Sequence, residues 1–149
     1  MSSMNILVIN GPNLNLLGNR EPEVYGTQTL HDIENELTKT FQEVKFTFFQ
    51  SNHEGAIVDE LQSVLTSTIE GVVLNAGAYT HYSYAIRDAV AALSIPVIEV
   101  HISNIHLRED FRKHSVTAPV CKAQVSGFGV EGYRIAVETL IQYSKTAKK

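Results

Sequence analysis

Ile6-Leu7-Val8-Ile9 runs directly into Asn10-Gly11-Pro12-Asn13-Leu14-Asn15. A short, unbroken apolar run closed by turn-forming residues reads as a buried strand. The downstream sequence supplies helices to cover it. Thr29 to Phe41 carries Leu30, Ile33, Leu37 and Phe41 at helical spacing, with Thr29 as N-cap and Asp32 three residues on. Lys45 to Phe49 reads as a second strand, and Glu54 to Leu65 as a helix with Ile57, Val58, Leu61 and Leu65 on one stripe. The pattern repeats. Gly71 to Leu74, Pro96 to Val100 and Val120 to Val125 are expected strands; Tyr82 to Leu93, Ile105 to Lys113 and Val130 to Tyr143 are expected helices. Alternating strands and helices imply parallel strands joined by crossovers. The expected fold class is α/β, a flavodoxin-like three-layer sandwich around a five-stranded parallel sheet of order 2-1-3-4-5.

Composition narrows the function classes. The chain has 149 residues, 44% apolar and 19% charged, with a formal net charge of -4. These values suit one globular domain spanning residues 1–149. No basic face for nucleic acid is visible; Lys145, Lys148 and Lys149 read as a solvated tail. Cys121 is the only cysteine, so an internal disulfide and a cysteine-rich zinc site are excluded. Met1 to Asn5 carries no basic segment, and Ile6 to Ile9 is far too short for a signal-peptide core or a membrane span. The expected location is cytoplasmic, with no membrane partner.

In an open α/β sheet, ligands bind beyond the carboxyl ends of the strands. The segments found there are Asn10 to Asn15, Gln50-Ser51-Asn52-His53, Asn75-Ala76-Gly77-Ala78-Tyr79-Thr80-His81, and the run through Glu99, His101 and Ser103. Neutral hydrogen-bonding groups, histidines and a single carboxylate suit a small polyhydroxylated ligand, although Asn, Gly and Ser also make ordinary turns. Alternate strand residues point to one side, so Glu99 can orient His101 and favour its protonated form, as a general acid requires. A histidine satisfied in a polar corner fits the same residues.

Gly18 to Thr27 has little apolar content and holds Arg20, Pro22, Tyr25 and Gly26. Such segments often cover sites. A phenol titrates near pH 10 and is a poor base at neutral pH; lowering that by roughly 3 units needs about 4 kcal/mol, much of which a desolvated guanidinium can supply. Arg20 and Tyr25 under a closing flap meet that need, while a tyrosine that merely packs the loop is the plainer alternative. Arg108 and Arg112, four apart, are expected on one helix face overhanging the site.

Other motifs lead elsewhere. Gly127-Phe128-Gly129-Val130-Glu131-Gly132 matches a dinucleotide fingerprint, but the chain stops before a further strand with its acidic residue, so a tight turn and close helix packing account for it better. His53, His81, His101, His106 and His114 lack a recognised metal spacing. No lysine follows a strand as a Schiff-base former, and no Gly-x-Ser-x-Gly elbow occurs. Neither a metal nor a cofactor is expected. A signalling receiver domain of the same fold would need an aspartate where Asn75 stands, and a flavin carrier would need a Ser/Thr-rich loop after the first strand.

Ile9 to Gly18, Arg20-Glu21-Pro22, Val24-Tyr25-Gly26, Gln50-Ser51-Asn52, Asn75-Ala76-Gly77, Thr80-His81, Ile86 to Ala89, Ile98 to Asn104, Arg108 to Arg112 and Gly127-Phe128-Gly129 together carry a resemblance. From about residue 5 to residue 140 the chain resembles the type II 3-dehydroquinate dehydratases. The resemblance implies cofactor-free conversion of 3-dehydroquinate to 3-dehydroshikimate by anti elimination through an enolate. It implies Tyr25 as base, Arg20 as the cation that makes it basic, His101 as acid with Glu99 behind it, and Asn13 as holder of a water at the enolate oxygen. Asn75 and the main-chain amides of Ile102 and Ser103 would bind the substrate carboxylate. His81 and Arg112 would hold ring hydroxyls, and Asp88 would reach a neighbouring subunit's site in a dodecamer built from trimers. Tyr82 and Tyr84 are larger than the family pattern leads one to expect.

Overall fold

The computed structural model describes residues 3–147. Met1, Ser2, Lys148 and Lys149 lie outside the described residues, and with them part of the expected leader and tail readings. Five parallel strands form one sheet of order β2-β1-β3-β4-β5, as expected: β1 Met4–Asn10, β2 Val44–Gln50, β3 Gly71–Asn75, β4 Val97–His101 and β5 Ala123–Ser126. Helices are α1 Pro22–Tyr25, α2 Leu30–Thr40, α3 Glu54–Ser63, α4 Tyr84–Ala91 and α5 Glu131–Ala147.

Side-chain alternation along β1 divides the core in two. Ile6 and Val8 point to one face and join Ile33 and Leu37 of α2 and Tyr133, Ala136, Val137 and Leu140 of α5. Leu7 and Ile9 point to the other and join Ile57 and Leu61 of α3 and Ile86, Ala89 and Val90 of α4. Because both faces are covered, the central strands read as continuous apolar runs. No helix among the described residues is long and apolar enough to cross a membrane.

The start of α2 is set locally. Thr29 is extended; its side chain accepts from the Asp32 amide, and the Asp32 carboxylate accepts from the Thr29 amide at 3.0 Å. Replacing Thr29 with Ala removes the first of these bonds and is expected to cost about 1 kcal/mol of stability, read as a lower urea midpoint at unchanged slope.

Three expectations are corrected. Ile105 to Lys113 is not one helix but two 3-10 turns, Ile105–Leu107 and Asp110–Lys113, with Arg108 extended between them at φ -111 and ψ -159. Arg108 and Arg112 therefore do not share a helix face. The last strand starts later than expected, at Ala123; Ala118–Val120 is a 3-10 turn with Pro119 in its first turn, and Cys121 follows it. Pro cannot donate to a ladder, so the chain turns before it pairs. The helix expected from Tyr82 begins at Tyr84, because the Ser83 hydroxyl accepts from the Ile86 amide as N-cap.

Candidate active site

The carboxyl ends of β1, β3 and β4 and the segments after them enclose a cleft lined by Asn13, Arg20, Tyr25, Asn75, His81, His101, Ile102, Ser103, Arg108 and Arg112, among others. Its cavity volume of about 130 Å³ is small beside the roughly 300–1,000 Å³ usual for ligand pockets, which points to a small ligand beneath a partly closed flap. A larger groove, about 730 Å³, lies at the amino ends of the strands, but its lining includes no histidine, arginine or asparagine. Convergent polar chemistry belongs to the smaller cleft.

Backbone constraints shape the floor. The Gly11 amide donates to the Asn75 carbonyl at 2.7 Å, and a Cβ on Gly11 would sit 2.6 Å from the Ala76 oxygen. Only glycine lets β1 and β3 approach this closely. Asn13 takes the left-handed conformation at φ 69 and donates its amide to Asn52 Oδ1 at 3.0 Å, tying the β1 tip to the β2 tip. On the α5 side, the buried Tyr133 hydroxyl donates to Asn10 Oδ1 at 2.5 Å and accepts from Asn75 Nδ2 at 3.0 Å, while Asn75 Oδ1 accepts from the Gly77 amide. These bonds fix which end of the Asn75 amide is which. Burial pushes the Tyr133 phenol up, so it remains neutral.

Glu99 and His101 project from one face of β4, and His101 Nε2 lies 2.8 Å from Glu99 Oε2. The carboxylate keeps the proton on Nε2 and leaves Nδ1 for exchange. Glu99 is fully buried. Burial is the largest influence and raises its pKa, but hydrogen bonding and charge from His101, with hydrogen bonds from Thr117 and Ser115, outweigh it and hold the carboxyl below the usual glutamate value. His81 Nδ1 donates to the His114 carbonyl at 2.8 Å. Burial lowers the His81 pKa more than that bond raises it, so Nε2 is a free acceptor at neutral pH.

The segment from Gly18 to Thr27 covers the cleft. It turns through Gly18 at φ 92, Glu21 at φ 42 and Gly26 at φ 82, with Pro22 opening α1. No residue of α1 is buried. Tyr25 hangs from its end between two guanidiniums. Arg20 lies over the ring, 5.4 Å from its centroid, and pairs with Glu21 at 3.3 Å. The direct bond is made by Arg108, whose Nη1 donates to the Tyr25 oxygen at 2.7 Å. The sequence pointed to Arg20; the cation bonded to the phenol is Arg108. Its extended backbone, between two 3-10 turns, frees its side chain to reach back 83 residues.

Of the remaining sequence candidates, Ile102, Ser103 and Arg112 line the cleft, and Arg112 pairs with Glu109 at 3.1 Å. Asp88 does not line it; it sits on α4, exposed. The Gly127 and Gly129 amides are used by the carbonyls of His101 and Ile102, at 3.2 and 3.0 Å. They buttress the β4 tip and are not turned outward to cradle a phosphate. Among the described residues, no three histidine, cysteine or carboxylate side chains converge as metal ligands. Sequence reading gave no role to Ser115, Thr117, Gln124 or Tyr133. Only the expected neighbouring of β4 and β5, which pairs Glu99 with Gln124, offered a signal for any of them.

The family model for dehydroquinase class II matches residues 4–141. The chain belongs to the class II dehydroquinase family. The 3-dehydroquinate dehydratase of Bacillus licheniformis is 58% identical over 134 residues, covering 89% of this chain and 92% of that protein. The 3-dehydroquinate dehydratase of Bacillus pumilus is 56% identical over 137 residues, covering 91% and 92%. The crystal structure of the type II dehydroquinase from Butyrivibrio crossotus superposes with a TM-score of 0.91 at 50% identity, covering 93% of this chain and 97% of that one. In this class II dehydroquinase fold the cleft thus brings together a phenol with two arginines, a carboxylate-backed imidazole and an asparagine fixed by a buried tyrosine.

Proposed function

We propose that this chain is a single catalytic domain that removes water from 3-dehydroquinate to give 3-dehydroshikimate, in the cytoplasm and without a cofactor. The bond from Arg108 to the Tyr25 oxygen, over a cleft shared with the Glu99–His101 pair, carries this reading. Tyr25 as phenolate takes the hydrogen from the carbon beside the ketone, and the C–H electron pair moves into an enolate. Two guanidiniums offset the charge a phenolate carries, and the flap keeps them dry enough for that to count. Asn13 holds a water at the enolate oxygen. The enolate collapses, the carbon–oxygen bond breaks, and His101 supplies the proton with which the hydroxyl leaves as water. Solvent then returns a proton to His101 and takes one from Tyr25.

Binding follows the same geometry. Asn75, with the amides of Ile102 and Ser103, receives the substrate carboxylate. His81 Nε2 accepts from a ring hydroxyl and Arg112 donates to another. Asp88, exposed on α4, acts at the site of a neighbouring copy in a trimer-based dodecamer, where Tyr82 and Tyr84 line the approach.

Arg108→Ala and Arg20→Ala test the cation assignment. Removing positive charge disfavours the phenolate, so the base limb of the pH–rate profile moves to higher pH. The movement is expected to be larger for Arg108→Ala, which loses a direct bond to the phenol oxygen, than for Arg20→Ala, whose contact is with the ring face. An unmoved limb in both variants would separate the arginines from the base.

A further inference from the structure

The Glu99 carboxylate, fully buried, divides its partners unequally between its two oxygens. Oε2 accepts from His101 Nε2 at 2.8 Å, Ser115 Oγ at 2.9 Å and Gln124 Nε2 at 2.8 Å. Oε1 accepts from the Thr117 hydroxyl and, among the described residues, from no other donor. Thr117 is itself fully buried. A hydroxyl has one proton to give. Ser115 spends its own on Oε2 and accepts from the Ala118 amide at 2.9 Å, so the 3.2 Å approach of Ser115 to Thr117 leaves the Thr117 proton on Glu99.

We infer that Thr117 is a positioning residue for the elimination, its hydroxyl fixing the rotation of the Glu99 carboxylate so that Oε2 stays directed at His101. This rests on the reading of His101 as the acid. The other titratable groups around Glu99 are His81, whose ring stacks 6.3 Å from that of His101, and Cys121, whose thiol burial and the Glu99 charge push up to about 12. The thiol stays neutral, and His81 is turned to His114. His101 is therefore the one group able to neutralise Glu99. Without the Thr117 proton, a charged oxygen sits dry and unpartnered, which is costly. The carboxylate then either rotates to share the donors of Oε2 or takes the Nε2 proton of His101. In the second case an N–H bond breaks, an O–H bond forms, and a neutral pair replaces the ion pair. Both outcomes make His101 a weaker proton donor to the leaving hydroxyl, in the second case because a neutral imidazole is a far weaker acid than an imidazolium.

Thr117→Val removes the hydroxyl at nearly constant volume. It is expected to lower kcat by about tenfold or more, with KM within about twofold. Thr117→Ser, which keeps the hydroxyl, restores kcat to within about threefold. Infrared spectra at neutral pH show a protonated-carboxyl band in Thr117→Val if Glu99 has taken the proton, and a displaced carboxylate band if it has rotated. Thr117→Ala takes the place of the valine variant, with the same expectations, if the latter does not fold. An unchanged kcat, or a loss that serine fails to restore with the carboxylate bands unmoved, overturns the inference. Glu99→Gln separates this failure from that of the underlying reading. If Glu99→Gln leaves kcat intact, the Glu99–His101 assignment falls; if it lowers kcat while Thr117→Val does not, the role of Thr117 alone falls.

Discussion

Tyr25→Phe is expected to lower kcat by about 10³- to 10⁴-fold and to leave the dissociation constant of 3-dehydroquinate within about threefold. The substitution deletes one oxygen and keeps the ring. Arg20 and Arg108 still face that ring, with guanidinium carbons 5.4 and 5.3 Å from its centroid, so the flap keeps its ring contacts and loses the one hydrogen bond from Arg108. The proposed carboxylate and hydroxyl contacts lie elsewhere, at Asn75, His81 and Arg112. What disappears is the only phenol oxygen that the described residues bring to the cleft lining, and with it the proposed acceptor for a carbon-bound hydrogen. Steady-state kinetics with calorimetric binding reads both quantities. A variant that binds as before and turns over as before ends the assignment of the base.

His101→Ala is the second large effect, with kcat expected to fall by about 10²- to 10⁴-fold. The fold is expected to survive the change at a cost in stability: Glu99 loses its cation but keeps Ser115 and Gln124 on Oε2 and Thr117 on Oε1. The cost falls on the leaving group, since hydroxide departs poorly without a proton. A substrate analogue carrying fluoride in place of the departing hydroxyl needs less help. It is expected to recover rate in His101→Ala but not in Tyr25→Phe. Equal recovery in both variants, or in neither, would contradict the division of labour between lid and sheet.

Much of this arrangement is legible in the chain. The run Ile6 to Asn15 declares a buried strand and its ligand-facing tip. The Thr29–Asp32 capping box marks where α2 begins, and alternation along β4 puts Glu99 and His101 on one face. Such features depend on residues a few positions apart, where geometry is local. Arg108 is legible as a residue over the cleft but its bond to Tyr25 is not, because Ile105 to Lys113 looks like one helix in sequence, whereas the chain breaks into two 3-10 turns and turns that side chain to the flap. Thr117 and Ser115 lie in an aperiodic connection, so no pattern announces that they meet a carboxylate 18 and 16 residues earlier. Tyr133 reads as an ordinary core aromatic of α5. Its hydroxyl finds Asn10 across 123 residues only because the parallel sheet sets β1 beside β3 beneath that helix. Contacts set by tertiary packing carry no local signature.

The Tyr25 oxygen is expected to strip the hydrogen from the carbon beside the ketone before His101 acts. Deuterium uptake at that carbon measures it directly. With elimination stalled in His101→Ala, 3-dehydroquinate incubated in D2O is expected to acquire label at this position, and in the His101→Ala/Tyr25→Phe double variant uptake should fall to the rate without protein. Label entering at the same rate with and without the Tyr25 hydroxyl would contradict the account.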